Sequence, residues 1–177
     1  EVIRDINKYS NNVMAQQLFL TLALVQRGSG TPAAARELLA QWVAERFGAD
    51  AAAGLVIDNG SGLSRESRLT ARLLTRLLVA AWASPVMPEL MSSLPVSGLD
   101  GTLRRSRATP VRAHLKTGSL RDVAGVAGYV LANSGRRYVV VAIANHANAN
   151  AARPAFDALV QWAAGDSAAA PLETTSN

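Results

Sequence analysis

The sequence predicts an α/β domain in which a helical region precedes an antiparallel sheet and one last helix follows it. Two observations carry this. Up to about residue 82, apolar residues recur at helical spacing between capping signals. From about residue 113, three extended runs rich in valine follow, two of them joined by Asn133-Ser134-Gly135, a hairpin signal. Helices, then sheet, then helix is the order of an α/β layer with an antiparallel sheet.

Each element has its own reason. After Ser10-Asn11-Asn12, the apolar series Val13, Leu18, Leu22 and Val25 predicts a helix that stops at Gly28. Thr31-Pro32 is an N-cap followed by a first-turn proline. It opens a second helix expected to bury Leu38, Leu39, Trp42, Val43 and Phe47 before Gly48. The run "GLVIDNGSGLS" predicts a short strand entering a tight turn at Asn59-Gly60. A helix over 69–82 ends ahead of Ser84-Pro85. The segment "SLPVSGLDGTLRRSRATPV" reads as loop, and "AHLKTG", "VAGVAGYVLA" and "RRYVVVAIAN" as strands. A final helix over 154–164 leads into 166–177, which has little to bury and is expected to be a flexible tail. Trp42, Trp82 and Trp162 fall on apolar helix faces and are expected in the core.

Composition narrows the function classes. With 49% hydrophobic and 18% charged residues the chain can build a core. No apolar run reaches the roughly 18 residues of a membrane span. The absence of cysteine excludes disulfides, thiolate catalysis and cysteine metal sites. His114 and His146 lie far apart in sequence and lack a metal-binding motif, so no metal site is expected. The net charge of +5 suits an anionic partner, and Arg104, Arg105, Arg107 and Arg112 form the densest basic stretch. No aromatic interleaves it, so a solvated loop is the simpler reading and no nucleic-acid partner is expected.

Two short patterns could carry chemistry. Of the 18 Lys and Arg residues, only Lys8 and Lys116 are lysine, and Lys116 opens Lys116-Thr117-Gly118. On a strand edge, a lysine supplies an ammonium whose pKa its surroundings can lower, which an arginine cannot do. Thr117 adds a hydroxyl donor, Gly118 clears the edge for an incoming peptide strand, and the Ser119 N–H can face an oxyanion. The plain alternative is a strand ending in a turn. In Ser10-Asn11-Asn12, Ser10 and Asn12 share a side if the chain is extended, where a hydroxyl and a carboxamide can meet a substrate amide. The same residues also read as an ordinary helix cap. His114, two residues before Lys116, would share its strand face.

The order of these patterns carries a resemblance. The chain reads S-N-N, then "DNGSGLSR", "SLPVSGLDGTL", K-T-G, and a sheet that ends at Asn145-His146. This resembles the class C low-molecular-mass penicillin-binding proteins, the D-alanyl-D-alanine carboxypeptidase/endopeptidase family, over nearly the whole chain. The resemblance implies the C-terminal part of a penicillin-binding-protein/β-lactamase-like transpeptidase fold, with 1–165 in the catalytic domain. It implies proton shuttling by Ser10 and Lys116, a hold on the substrate amide by Asn12, a carboxylate end lined by Thr117 and Gly118, and an oxyanion donor at Ser119. The implied partners are peptidoglycan stem peptides, with β-lactams as inhibitors, and the implied setting is the periplasm or cell envelope. No metal or organic cofactor is implied.

One element of the family pattern is absent. No S-x-x-K occurs, because the residues three before Lys8 and Lys116 are Asp5 and Ala113. The nucleophilic serine and its lysine are therefore expected on an upstream segment, together with further strands and the export signal, making this chain the C-terminal part of a longer enzyme. The alternative is a non-catalytic module that binds cell-wall peptide along the Lys116–Ser119 edge.

Overall fold

The computed structural model describes residues 1–106, 110 and 112–167. Arg107 of the basic stretch and residues 168–177 of the expected tail lie outside these. Six helices come first: α1 (Val2–Tyr9), α2 (Asn12–Arg27), α3 (Pro32–Phe47), α4 (Ala49–Ala53), α5 (Ala71–Trp82) and α6 (Met87–Ser93). Three strands follow, β1 (Ala113–Leu120), β2 (Val123–Leu131) and β3 (Arg137–Asn145), and then α7 (Arg153–Ala164). The sheet is antiparallel in the order β1-β2-β3, with Lys116 opposite Ala127 and Gly128 opposite Val140.

The alternation expected of a two-sided sheet decides the layers. Leu115, Val126, Val130 and Val140 pack with Val160, Ala163 and Ala164 of α7. The opposite face, through Tyr129, Ala127, Val139 and Val141, packs on Leu74 and Leu78 of α5 and on Leu90 and Met91 of α6. Buried Tyr129 satisfies its hydroxyl by donating to the Leu78 carbonyl at 2.7 Å. The sheet therefore lies between α7 and the helical region, as the element order requires.

The capping signals hold. Asn11 Oδ1 accepts from Met14 N at 3.0 Å, Thr31 Oγ1 from Ala34 N at 3.3 Å, and Thr70 Oγ1 from Leu73 N at 3.0 Å. Gly28 ends α2 in the left-handed region at φ 69°. The β2–β3 hairpin forms around Asn133-Ser134-Gly135, and Asp166 joins it, its Oδ2 accepting from Ser134 Oγ at 2.5 Å.

Several expectations are corrected. The buried stripe of α2 is Phe19 and Ala23, while Val13 and Val25 are each 72% exposed and Leu22 is exposed as well. The run "LFLTLALV" is apolar on all sides, so its period does not say which face turns inward. Small Ala23 faces Ala35 of α3 in the shared cluster and lets the two helices approach. None of the tryptophans is buried: Trp42 lies edge-on to Phe47, Trp82 is tilted against Tyr129 beneath Arg137, and Trp162 is 77% exposed. The expected strand at "GLVIDN" is reduced to one bridge, Val56 to Arg68. Ahead of Ser10, "VIRDINKY" forms α1, which the sequence reading left unassigned.

Candidate active site

Ser10 stands at the junction of α1 and α2, where the chain must stop one helix and start another within three residues. It takes the left-handed conformation, φ 53° and ψ 47°, that closes α1, and Asn11 then caps α2. Ser10 is thus a C-cap and Asn12 the first residue of a helix, not members of an extended segment. The sharp corner turns Ser10 toward β1 and Asn12 toward the glycine-rich loop. Lys116 Nζ, projecting from β1, donates to Ser10 Oγ and to the Thr117 carbonyl, the latter at 3.1 Å. Residues 106 apart in sequence are thereby joined. Burial holds the Lys116 ammonium below its usual value of 10.5.

Asn12 faces the glycine-rich loop. Its Nδ2 donates to the Ser61 carbonyl at 2.6 Å. A carbonyl can only accept, so this contact fixes the orientation of the amide and leaves Oδ1 to accept from an incoming N–H. The loop itself is built by Asn59, whose Oδ1 accepts from Ser61 N at 3.0 Å and Ser61 Oγ at 2.7 Å. Gly62, at φ 77°, takes the left-handed turn position that had been expected of Asn59-Gly60. Gly60 is required for another reason: a Cβ there would lie 2.3 Å from Phe19 Cβ.

Among the described residues, the edge of β1 is paired only in its first part. Leu115 N–H donates to the Pro95 carbonyl and Ser97 N–H to the Ala113 carbonyl, each at 2.9 Å. Outward-facing N–H groups alternate along an antiparallel strand, so those of Thr117 and Ser119 face the same edge beyond this pairing. Gly118 is exposed, and a Cβ there would meet nothing within 4 Å. Thr117 Oγ1 lies 3.2 Å from Thr102 Oγ1, and both line a cavity of about 230 Å³ with Arg153 and Asp157. Ser119 Oγ donates to Asn150 Oδ1 at 3.3 Å.

The structure thus joins Ser10 to Lys116 directly and ties Asn12 to the glycine-rich loop, while Thr117 and Ser119 contact Thr102 and Asn150 further along β1. His114 is engaged elsewhere: its Nδ1 is 3.1 Å from the Met91 carbonyl, and burial pushes its pKa below 6.5. His146 closes the β1–β2 turn, its N–H donating to the Asp122 carbonyl at 3.0 Å. Arg65, from the glycine-rich segment, meets Asp122 at 3.0 Å across the far end. Ser61, Thr102 and Asn150 were not singled out from sequence. Nor was Lys8, although a second lysine in so arginine-rich a chain is the same kind of signal that marks Lys116.

A family model described as D-Ala-D-Ala carboxypeptidase 3 (S13) matches residues 1–165. The chain is 33% identical over 146 residues to a D-alanyl-D-alanine carboxypeptidase of Actinomadura sp., covering 73% of this chain and 25% of that protein. It is 32% identical over 169 residues to carboxypeptidase DacB of Mycolicibacterium smegmatis, covering 90% of this chain and 36% of the relative. The chain thus spans about a quarter to a third of the length of these relatives. Among solved structures, penicillin binding protein 4 of Haemophilus influenzae superposes with a TM-score of 0.70 at 25% identity, over 83% of this chain and 33% of that one. A predatory endopeptidase of Bdellovibrio bacteriovorus has the same fold, with a TM-score of 0.73 at 19% identity over 96% of this chain and 44% of that one.

Proposed function

The chain belongs to the D-Ala-D-Ala carboxypeptidase 3 (S13) family, and from that premise we propose that it forms the C-terminal part of a serine-type D-Ala-D-Ala carboxypeptidase/endopeptidase acting on peptidoglycan stem peptides. The contact between Lys116 and Ser10 carries this reading. It joins the two sequence patterns that the resemblance pairs, beside a strand edge open to a peptide.

In this reading a stem peptide adds to the edge of β1 beyond Leu115, with its terminal carboxylate toward Thr117. An upstream serine gives its hydroxyl proton to the upstream lysine paired with it and attacks the D-Ala-D-Ala carbonyl through Oγ, and the Ser119 N–H stabilises the oxyanion that forms. The C–N bond then breaks, and Lys116 and Ser10 pass a proton to the departing amine. Water hydrolyses the resulting ester, returning the serine. Burial of Lys116 suits this role, since a lowered pKa makes its proton easier to give. Benzylpenicillin would acylate the same serine and stop at the ester.

A solved relative of the same fold bears the description of a penicillin-G-acylated enzyme, and another that of a β-lactam complex. The work done by such an enzyme would place it outside the cytoplasmic membrane. The exposed apolar residues Val13, Val25 and Trp162 support the reading that further parts of the enzyme cover this chain.

Intact mass spectrometry of the natural full-length polypeptide with benzylpenicillin tests the proposal. One penicilloyl adduct on a serine upstream of Glu1 is expected. An adduct on a serine of this chain would redraw the roles, and no adduct would favour the non-catalytic binding module.

A further inference from the structure

Lys8 is 4% exposed, yet it takes no part in the cleft. It sits in the last turn of α1, two residues before Ser10. Its Nζ donates to the Leu94 carbonyl at 2.7 Å and to Asp100 Oδ2 at 2.6 Å. The second carboxylate oxygen, Asp100 Oδ1, accepts from the Val96 N–H at 2.8 Å. Val96 lies between Pro95 and Ser97, the two residues that pair with Leu115 and Ala113 at the start of β1. Leu115 immediately precedes Lys116. An unbroken series of short polar contacts thus runs from the helix that ends in Ser10 to the strand that carries Lys116.

We propose that the ion pair between buried Lys8 and half-exposed Asp100 is the positioning device that sets the separation of Ser10 and Lys116, making Lys8 and Asp100 positioning residues for the proton relay. The inference rests on the reading of the cleft given above. Stability alone is a poor account of this pair. Desolvation of the buried Lys8 ammonium offsets much of its attraction to Asp100, and well-packed apolar side chains often do as well in such a place. Geometry is what apolar side chains would not reproduce. The carboxylate takes a cation on one oxygen and a backbone N–H on the other, which fixes its plane between the two elements.

The backbone is fitted to the same purpose. Gly101 has φ 54°, and a Cβ there would lie 2.6 Å from the Lys8 carbonyl oxygen, so the loop rests directly on the main chain of α1. Asn7 adds a neighbouring tie, its Nδ2 donating to Ser93 Oγ at 2.8 Å. Burial would raise the Asp100 carboxyl. The hydrogen bonds from Lys8 and Val96 outweigh that and hold it below its usual 3.8, so it stays charged near neutral pH.

The test uses the natural full-length polypeptide carrying Lys8→Met, Asp100→Leu, or both. Asp100→Leu leaves the Lys8 ammonium buried without its carboxylate and is expected to melt lower, while Lys8→Met leaves a carboxylate still 37% exposed and is expected to melt less low. The double variant removes both charges and is expected to recover most of the melting temperature. Its kcat on a D-Ala-D-Ala peptide and its acylation rate with benzylpenicillin should nevertheless fall at least about tenfold, with KM within about threefold, because the relay is misplaced while the binding edge is not. Gly101→Ala, which keeps both charges but lifts the loop off Lys8, should give the same split. A folded double variant with wild-type kcat would overturn the proposal. If the wild-type protein itself takes no penicillin, the reading of the cleft fails instead. The inference is then decided by the variant's crystal structure: Ser10 Oγ and Lys116 Nζ beyond hydrogen-bonding reach supports it, and an unchanged contact overturns it.

Discussion

Asn12 Nδ2 donates to the Ser61 carbonyl at 2.6 Å, and Gly60, one residue before Ser61, lies against Phe19 of the helix that Asn12 opens. The glycine-rich loop is thereby held at two points on α2, by a side-chain amide at the cleft and by an aromatic ring one level deeper. Gln16 adds a third, its Oε1 accepting from Gly60 N at 2.8 Å.

Gly60→Ala should therefore disturb both the core and the cleft. The new methyl would lie 2.3 Å from Phe19 Cβ and 2.7 Å from Cγ, and Phe19 is buried with little room to yield. Overpacking of this kind costs about 1–3 kcal/mol. Urea unfolding should show that loss, and penicillin acylation should slow as Ser61 draws away from Asn12. An unchanged unfolding midpoint would mean that the loop moves freely off α2.

Gly118→Val separates folding from binding. The site is open, and valine is a better strand former than glycine, so stability should hold or rise by up to about 1 kcal/mol. Affinity for a D-Ala-D-Ala peptide should drop, measured as a rise in KM, because the side chain would stand where the added strand must pass. A variant with wild-type KM would place the peptide elsewhere.

Lys116→Met should change how stability depends on pH. Burial lowers the ammonium's pKa, so between that lowered value and 10.5 the unfolded chain binds more protons than the folded one. The wild-type fold therefore gains stability from this group as pH rises through that window, and has lost the gain below it. Chemical unfolding of both proteins at pH values up to about 10 should show the difference moving in favour of wild type once pH passes the lowered value. A constant difference would mean that the ammonium is not desolvated.

Where one period dominated, the sequence was legible. The three strands alternate between two buried faces, and the hairpin and the caps of α2 and α3 were marked by residues with local reasons to be there. Legibility failed where hydrophobicity had no direction. The run "LFLTLALV" fits either face of α2, and a tryptophan on an apolar stripe does not reveal whether another element covers it. At the cleft, Lys116 could be singled out by its rarity and its neighbours, because its chemistry is local to K-T-G. The carboxylate that holds Lys8 lies 92 residues away, and nothing in "VIRDINKY" announces it. Ser61 is invisible for a similar reason, since it contributes a backbone carbonyl and any residue type carries one.

The half-paired edge of β1 has a consequence for what can be cut. A peptide laid antiparallel on that strand points its carboxyl end toward Ala113, where Pro95 and Ser97 already hold the hydrogen-bonding positions. Among the described residues, only the stretch from Thr117 to Leu120 is left without such a partner, about 13 Å at strand spacing. The track is a cul-de-sac. A long polypeptide laid through this edge would meet the paired stretch at its carboxyl side, whereas a short chain with a free terminus can back in and stop. Selection for chain ends would then follow from where the loop docks, before any side chain of the substrate is read.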